Sequence, residues 1–185
     1  MSSHPDLVIR GGTIADGLGG ELFETDIAIS GGRITEVGKV LGQGKEEIDA
    51  RGKLVTPGFV DVHTHYDGQV TWSQDITPSS QNGVTTAVMG NCSVGFAPCK
   101  PADHRRLIEL MEGVEDIPEP VLSAGIPWAW ESFPEYLAAI SRRPLGINAG
   151  FLVPLSALRF FVLGGEAAER AARPEEIAKM VESRC

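Results

Sequence analysis

The stretch that decides the fold is Pro57-Gly58-Phe59-Val60-Asp61-Val62-His63-Thr64-His65, a short apolar run ending in two histidines two residues apart. Side chains of a β-strand alternate between faces, so this spacing predicts that both imidazoles project together from the C-terminal end of a strand. In parallel α/β architectures, ligands and catalytic groups collect at that end. Neutral imidazole is the commonest metal ligand, so the pair predicts half of a zinc site. The alternative is two strand-end histidines that only make hydrogen bonds.

The composition is that of an ordinary globular protein, with 185 residues, 42% hydrophobic and 22% charged. No apolar run approaches the roughly 20 residues of a membrane span, and no secretory signal is visible, so we expect a cytoplasmic protein without a membrane partner. The formal net charge of −9 argues against a nucleic-acid partner. The cysteines, Cys92, Cys99 and Cys185, are odd in number and lack Cys-x-x-Cys spacing, so no disulfide scaffold is expected. Nothing here specifies an oligomeric state.

Two regions of different pattern divide the chain. Residues 1–56 contain short apolar runs and a hairpin signal around Gly31-Gly32, which predict part of a small β-sandwich. Residues 57–185 alternate strands with helices, with strands expected at 59–65, 84–89 and 147–153. Alternating strands and helices imply a parallel sheet. The closed form of such a sheet is an eight-stranded TIM-like (β/α)₈ barrel of roughly 250 residues, so we expect an α/β fold with an incomplete barrel.

Helix signals lie between and after these strands. Apolar residues from Leu107 to Val114 recur at helical spacing. Ser132 and Glu135 form a capping-box pair, which predicts that a helix begins there. Pro174 suits the first turn of a last helix, which we expect to continue to the end of the chain.

Cys92 follows the second predicted strand, at the same end of the sheet as the two histidines. Adjacent parallel strands lie about 4.8 Å apart, so a thiolate there could share a metal with His63 and His65. Gly90 and Gly95 bracket the cysteine and permit a tight backbone turn or close approach of a ligand. The alternative is a free cysteine acting as a small buried hydrophobe.

Several stretches resemble the N-acyl-D-amino-acid deacylases (D-aminoacylases) of the amidohydrolase superfamily, and together they extend the resemblance over essentially the whole chain. They are residues 57–69, Thr77-Pro78-Ser79-Ser80, Gly83-Val84-Thr85-Thr86, Met89 to Pro98, Glu115-Asp116-Ile117-Pro118, and Trp130-Glu131-Ser132-Phe133-Pro134-Glu135-Tyr136.

The resemblance implies a zinc-bearing (β/α)₈ barrel beside a composite β-sandwich, and a hydrolase that removes the acyl group of small N-acyl-D-amino acids. His63 and His65 match the family's first-strand ligands, and Cys92 matches its metal-bridging cysteine. The family's aspartate general base and its further histidine ligands come from later strands, so we expect them beyond residue 185 and expect the 185-residue chain alone to be inactive. Two residues depart from the family's pattern. Leu155 lies at or next to a position where the family commonly has a histidine, and Ser93 lies where the family usually has glycine.

Two alternatives to this function follow from the same residues. One is a catalytically inactive, truncated relative, and the other is a cyclic-amide hydrolase of the hydantoinase or dihydroorotase type, which the Asn91-Cys92 setting disfavours. Among the other residues, Asp67 could orient a ligand histidine or cap a turn. We expect Cys99 to be structural, His104 to be solvated, and Trp128 and Trp130 to pack beneath a loop.

Overall fold

The computed structural model describes residues 4–183 and divides into two compact units, one ending at Pro57 and the other beginning at Gly58. Cys185, at which the last helix was expected to end, lies outside the described residues. No helix in the described part of the chain is both long and apolar enough to cross a membrane.

The first unit is a single five-stranded sheet. Its strands are β1 (Leu7–Ile14), β2 (Phe23–Ser30), β3 (Arg33–Gly38), β4 (Glu46–Asp49) and β5 (Leu54–Val55). β2 pairs antiparallel with both β1 and β3, whereas β4 and β5 pair parallel with β1. The predicted hairpin is confirmed between β2 and β3, where Gly31 and Gly32 have φ of 59° and 72°. Positive φ at both turn positions matches the right-handed twist of the flanking strands.

The two faces of this sheet differ. Val8, Ala28 and Val40 are buried together on one side. The other side carries apolar side chains that line an open groove, among them Ile9, Ile27, Ile29, Ile34 and Val37. Both faces of this sheet therefore carry apolar side chains, one buried and the other along an open groove.

The second unit is built around a three-stranded parallel sheet in the order β6-β7-β8. The strands are β6 (Phe59–Asp61), β7 (Val84–Met89) and β8 (Asn148–Phe151), and the helices are α1 (His104–Glu115), α2 (Glu119–Gly125), α3 (Phe133–Ser141), α4 (Leu155–Leu163) and α5 (Pro174–Glu182). Short 3-10 turns occur in the connections. A continuous apolar core joins β7 and β8 to α1, α2, α3 and α4. The alternation of strand and helix confirms the α/β prediction.

The first predicted strand is shorter than expected. β7 has the predicted bounds, but β6 ends at Asp61, so His63 and His65 lie beyond the strand rather than on it. The cause is local: Asp61 Oδ1 accepts a hydrogen bond from the His63 amide at 3.2 Å, a turn that competes with continued strand pairing. The strict two-residue alternation that motivated the prediction therefore does not apply to the two imidazoles.

The predicted helices begin where expected, but one residue expected on a buried face is exposed. α3 begins with the predicted capping box, in which Glu135 N donates to Ser132 Oγ and Ser132 N donates to Glu135 Oε2. α5 begins at Pro174 as predicted. In α1, however, Val114 is 46% exposed, because the apolar stripe leaves the core in the last turn.

Candidate metal centre

His63, His65 and Cys92, the residues expected from the sequence, come together in the second unit. Each offers one ligand atom, and these three atoms lie within 4.8 Å of one another. Nε2 of His63 lies 3.2 Å from Sγ of Cys92. Two ligands bound at zinc distances in tetrahedral geometry are roughly 3.3–3.7 Å apart, so this separation suits a shared ion.

Thr64 fixes the segment that carries the two histidines. Its backbone amide and its hydroxyl both donate to the carbonyl oxygen of Val88, near the end of β7, at 2.9 and 2.8 Å. The Thr64 side chain is 6% exposed. Because the histidines flank Thr64, both imidazoles are held beside the end of β7 although neither belongs to a strand.

The loop that carries Cys92 has an unusual backbone. Cys92 and Ser93 have φ of 51° and 67°, in the left-handed region that costs a non-glycine residue about 1–3 kcal/mol. Gly90 also has positive φ, and a Cβ there would lie 2.1 Å from the carbonyl oxygen of Leu152. Asn91 Nδ2 donates to Val88 O at 2.9 Å, the same acceptor that holds Thr64. The loop and the histidine segment thus share one anchor.

The donor set fits zinc. Nδ1 of His65 is buried and has no hydrogen-bond partner among the described residues. A buried polar atom without a partner is costly, so this ring lacks a partner that the described residues do not supply. Two imidazoles and one thiol are ligands that zinc takes in proteins, and three protein ligands leave one position open for catalysis.

One carboxylate lies close to an imidazole, and a second follows His65 by two residues in the chain. Glu115 Oε1 is 3.5 Å from Nε2 of His65. Asp67 is 2% exposed, and burial raises its pKa to about 7, with a smaller contribution from the charge of Glu115. Backbone amides of Asp67 and Gly90 hydrogen-bond its carboxylate and act against this rise. Of the two roles predicted for Asp67, these contacts favour the turn cap. No role was expected for Glu115 from the sequence.

A model of the amidohydrolase family matches residues 46–176. The chain belongs to the amidohydrolase family.

Three proteins of known function are similar to this chain in sequence or in structure. D-aminoacylase of Alcaligenes xylosoxydans xylosoxydans is 35% identical over 176 residues, which are 95% of this chain and 34% of the relative. A crystal structure of D-aminoacylase matches with a TM-score of 0.77 and 31% identity, covering 97% of this chain and 36% of that one. N-acyl-D-glutamate deacylase of Bordetella bronchiseptica, complexed with zinc and a phosphonate inhibitor, matches with a TM-score of 0.76 and 28% identity, covering 98% and 35%. The amidohydrolase chain thus spans about a third of the length of these proteins.

An open pocket of the amidohydrolase adjoins the two histidines. Its wall includes Tyr66, Gln69, Ser79 and Ile117. The hydroxyls of Tyr66 and Ser79 are 2.8 Å apart and hydrogen-bonded. The same pocket is also lined by the carboxylates of Asp61 and Glu115, so its wall next to the imidazoles is mostly polar.

The expectation that His104 is solvated is wrong. Its ring stacks on Trp128 with 3.7 Å between ring centroids, and its Nε2 is buried without a partner among the described residues. Burial lowers the pKa of His104, although Glu131 and Asp103 oppose this shift. The helical pattern around His104 concealed the contact, because Trp128 arrives from a loop distant in sequence. Trp130 packs as expected, with its indole N–H donating to Phe96 O.

Cys99 is buried, and burial raises the pKa of its thiol to about 12. The thiol donates to the carbonyl oxygen of Lys100 at 3.4 Å. This environment favours the structural role expected for Cys99 and distinguishes it from the exposed Cys92.

Proposed function

We propose that this amidohydrolase chain carries the zinc site of an N-acyl-D-amino-acid deacylase, which hydrolyses a linear amide bond. The observation that carries the proposal is the convergence of His63, His65 and Cys92 within 4.8 Å, on a fold that resembles D-aminoacylase. His63 and His65 would hold zinc as neutral imidazoles and Cys92 as a thiolate. The zinc complex of the similar N-acyl-D-glutamate deacylase supports the choice of metal.

The proposal extends to the architecture. β6, β7 and β8 would be the first strands of a (β/α)₈ barrel, and the sheet of the first unit would be part of a β-sandwich. In such a barrel, active sites lie at the C-terminal ends of the strands. The three donors do follow the C-terminal ends of β6 and β7, the position that this assignment requires.

The chemistry suits amide hydrolysis. When bound, zinc polarises an amide carbonyl and makes water a stronger nucleophile at neutral pH. The protein's own part is to hold the donors in place through Thr64 and Asn91 and to keep the site accessible. His63 and Cys92 are both exposed, so an acyl group can reach them without a large rearrangement.

The test of the zinc site is equilibrium dialysis against Zn²⁺ followed by metal analysis. We expect the wild-type chain to retain zinc and Cys92→Ser to lose it, because a hydroxyl is a much poorer zinc ligand than a thiolate. Cys99→Ala is the matched control, since it removes a buried thiol that lies outside the cluster. Equal zinc content in the wild type and Cys92→Ser would contradict the assignment of Cys92.

The substrate class is tested by turnover. We expect a protein that carries this chain together with the family's later strands to hydrolyse N-acetyl-D-methionine and not hydantoin, which is a cyclic amide. The reverse preference would support the cyclic-amide alternative. Zinc binding without hydrolysis of either compound would support the inactive alternative.

A further inference from the structure

The C-terminal end of α1 reaches the metal centre through Glu115. Oε1 of Glu115 lies 3.5 Å from Nε2 of His65, and the two side chains are 26% and 15% exposed. This distance between nitrogen and oxygen exceeds the 2.7–3.2 Å of an N–H···O hydrogen bond, so the carboxylate and the ring are in close polar contact without a hydrogen bond. Because both groups are mostly withdrawn from water, their interaction is screened less than that of a surface pair.

The position of Glu115 is fixed by the helix and by the turn after it. Leu107, Ile108 and Met111 bury α1 in the core. The chain then turns at Asp116, whose φ is 54° and whose amide donates to the Glu112 carbonyl oxygen at 3.1 Å. The carboxylate of Glu112 accepts a hydrogen bond from the Glu119 amide, which ties the start of α2 to α1. Glu115 therefore projects from an anchored point.

Stability alone disfavours a carboxylate at this position. The C-terminal end of a helix carries a partial negative charge, and a negative side chain there costs about 0.3–1 kcal/mol. No Lys or Arg makes an ion pair with Glu115 among the described residues. The group that Glu115 contacts is the imidazole of His65, a proposed metal ligand.

We propose that Glu115 is a positioning residue of the metal centre, which orients the His65 ring and contributes negative charge beside a bound divalent cation. Glu115 faces Nε2 of this ring, and its carboxylate lines the same open pocket as His63 and His65. A carboxylate next to a ligand histidine restrains the ring and strengthens its attraction for a cation.

This inference rests on the proposed zinc site, so the experiment measures that site first. Zn²⁺ dissociation constants are measured by competition with a chromophoric chelator on the full chain. The variants are Glu115→Gln, Glu115→Asp and, as matched control, Glu109→Gln. Glu109 lies on the same helix, is exposed, and pairs with Arg105. We expect Glu115→Gln to weaken Zn²⁺ binding about 10–100-fold, Glu115→Asp to weaken it less, and Glu109→Gln to leave it unchanged.

Two further measurements separate positioning from a structural role. The visible absorption of the Co²⁺-loaded chain reports the ligand geometry, and we expect Glu115→Gln to change that spectrum. The melting temperature of the metal-free chain should not fall in Glu115→Gln, because the variant removes an unfavourable charge from a helix end.

The outcomes are distinguishable. Unchanged affinity and an unchanged Co²⁺ spectrum in Glu115→Gln would overturn the role of Glu115 while leaving the zinc site intact. Equal losses in Glu115→Gln and Glu109→Gln would show a general charge effect and overturn it as well. So would a loss of affinity accompanied by a lower melting temperature without metal. A wild-type chain that binds no Zn²⁺ would overturn the zinc site and, with it, this assignment.

Discussion

At the scale of single residues, the candidate site depends on a few contacts that hold otherwise irregular backbone. Val88 O accepts hydrogen bonds from Thr64 and from Asn91, so one carbonyl oxygen links the two parts of the site. The positive φ of Cys92 and Ser93 shows that this local arrangement is maintained against backbone preference. Strained residues of this kind cluster at functional sites, which agrees with the proposed zinc ligand at Cys92.

The first residue-scale prediction concerns Thr64. Thr64→Val keeps the shape of the side chain but removes its hydrogen bond to Val88 O. We expect a loss of about 1 kcal/mol in the free energy of unfolding and up to about tenfold weaker Zn²⁺ binding, since the ion must then order His63 and His65. Urea unfolding and chelator competition measure the two effects.

Thr71→Val is the matched control for this prediction. Thr71 is 4% exposed and its hydroxyl donates to Gly68 O at 2.7 Å, so a similar buried hydrogen bond is removed away from the three donors. We expect a similar loss of stability with unchanged Zn²⁺ affinity. Equal weakening of zinc binding in both variants would contradict the proposed role of Thr64.

The second residue-scale prediction concerns Ser93. With φ of 67°, this residue occupies a conformation that glycine adopts without steric cost. We expect Ser93→Gly to raise the free energy of unfolding by about 0.5–1 kcal/mol, the relief of strain being partly offset by the greater freedom of glycine in the unfolded chain. Urea unfolding followed by tryptophan fluorescence measures the change.

Ser123→Gly provides a control of opposite sign. Ser123 is exposed within α2, where glycine is a poorer helix former than serine, so this variant should lose stability. A destabilised Ser93→Gly would show that the serine side chain contributes more than its backbone strain costs.

At the scale of elements, the sequence predicted those helix and strand boundaries that nearby residues determine. β7 has the predicted bounds because its apolar, β-branched run lies between Gly83 and Gly90. α3 begins where Ser132 and Glu135 allow reciprocal capping. α2 and α4 were not predicted. α2 is short and carries a proline in its first turn, and α4 is apolar on most sides, so neither shows a clear amphipathic stripe.

α5 supports a prediction about pH. Arg170 donates to both carboxylate oxygens of Glu176, at 2.8 and 2.6 Å, and the Arg173 amide donates to one of them. The Arg170 hydrogen bonds are the main reason that the pKa of Glu176 is lowered to about 2, from 4.5. A carboxyl whose pKa is lowered on folding stabilises the protein above its unfolded pKa, and this contribution is lost as the pH falls toward 2.

We therefore expect Glu176→Gln to lower the melting temperature above about pH 5, and the difference from wild type to shrink as the pH falls from about 4.5 to 2. Calorimetry across this range measures it. Glu175→Gln is the control, because Glu175 is an exposed neighbour on the same helix. A difference between Glu176→Gln and wild type that does not vary with pH would contradict the electrostatic explanation.

At the scale of the whole molecule, the three proposed ligands were predictable and their surroundings were not. His63, His65 and Cys92 stand out because their residue types and their positions after two strands can be read along the chain. The contact of Glu115 with His65, and the stacking of His104 on Trp128, join residues far apart in sequence. No local pattern encodes such contacts. Two signals for Glu115 were available in the sequence: it lies in the family-like stretch Glu115-Asp116-Ile117-Pro118, and it is a carboxylate at the end of an otherwise amphipathic helix.

The last prediction uses the distribution of tryptophan. Trp72, Trp128 and Trp130 all belong to the second unit, so tryptophan fluorescence reports unfolding of the unit that holds the proposed zinc site. A ligand that binds only the folded state stabilises it by about 2.7 kcal/mol at 100 times its dissociation constant. For a unit of this size we expect Zn²⁺ to raise the fluorescence-detected melting temperature by roughly 10 °C, and EDTA to reverse the rise. Cys92→Ser should show no such rise, whereas an equal rise in both proteins would place the stabilising zinc at a different site.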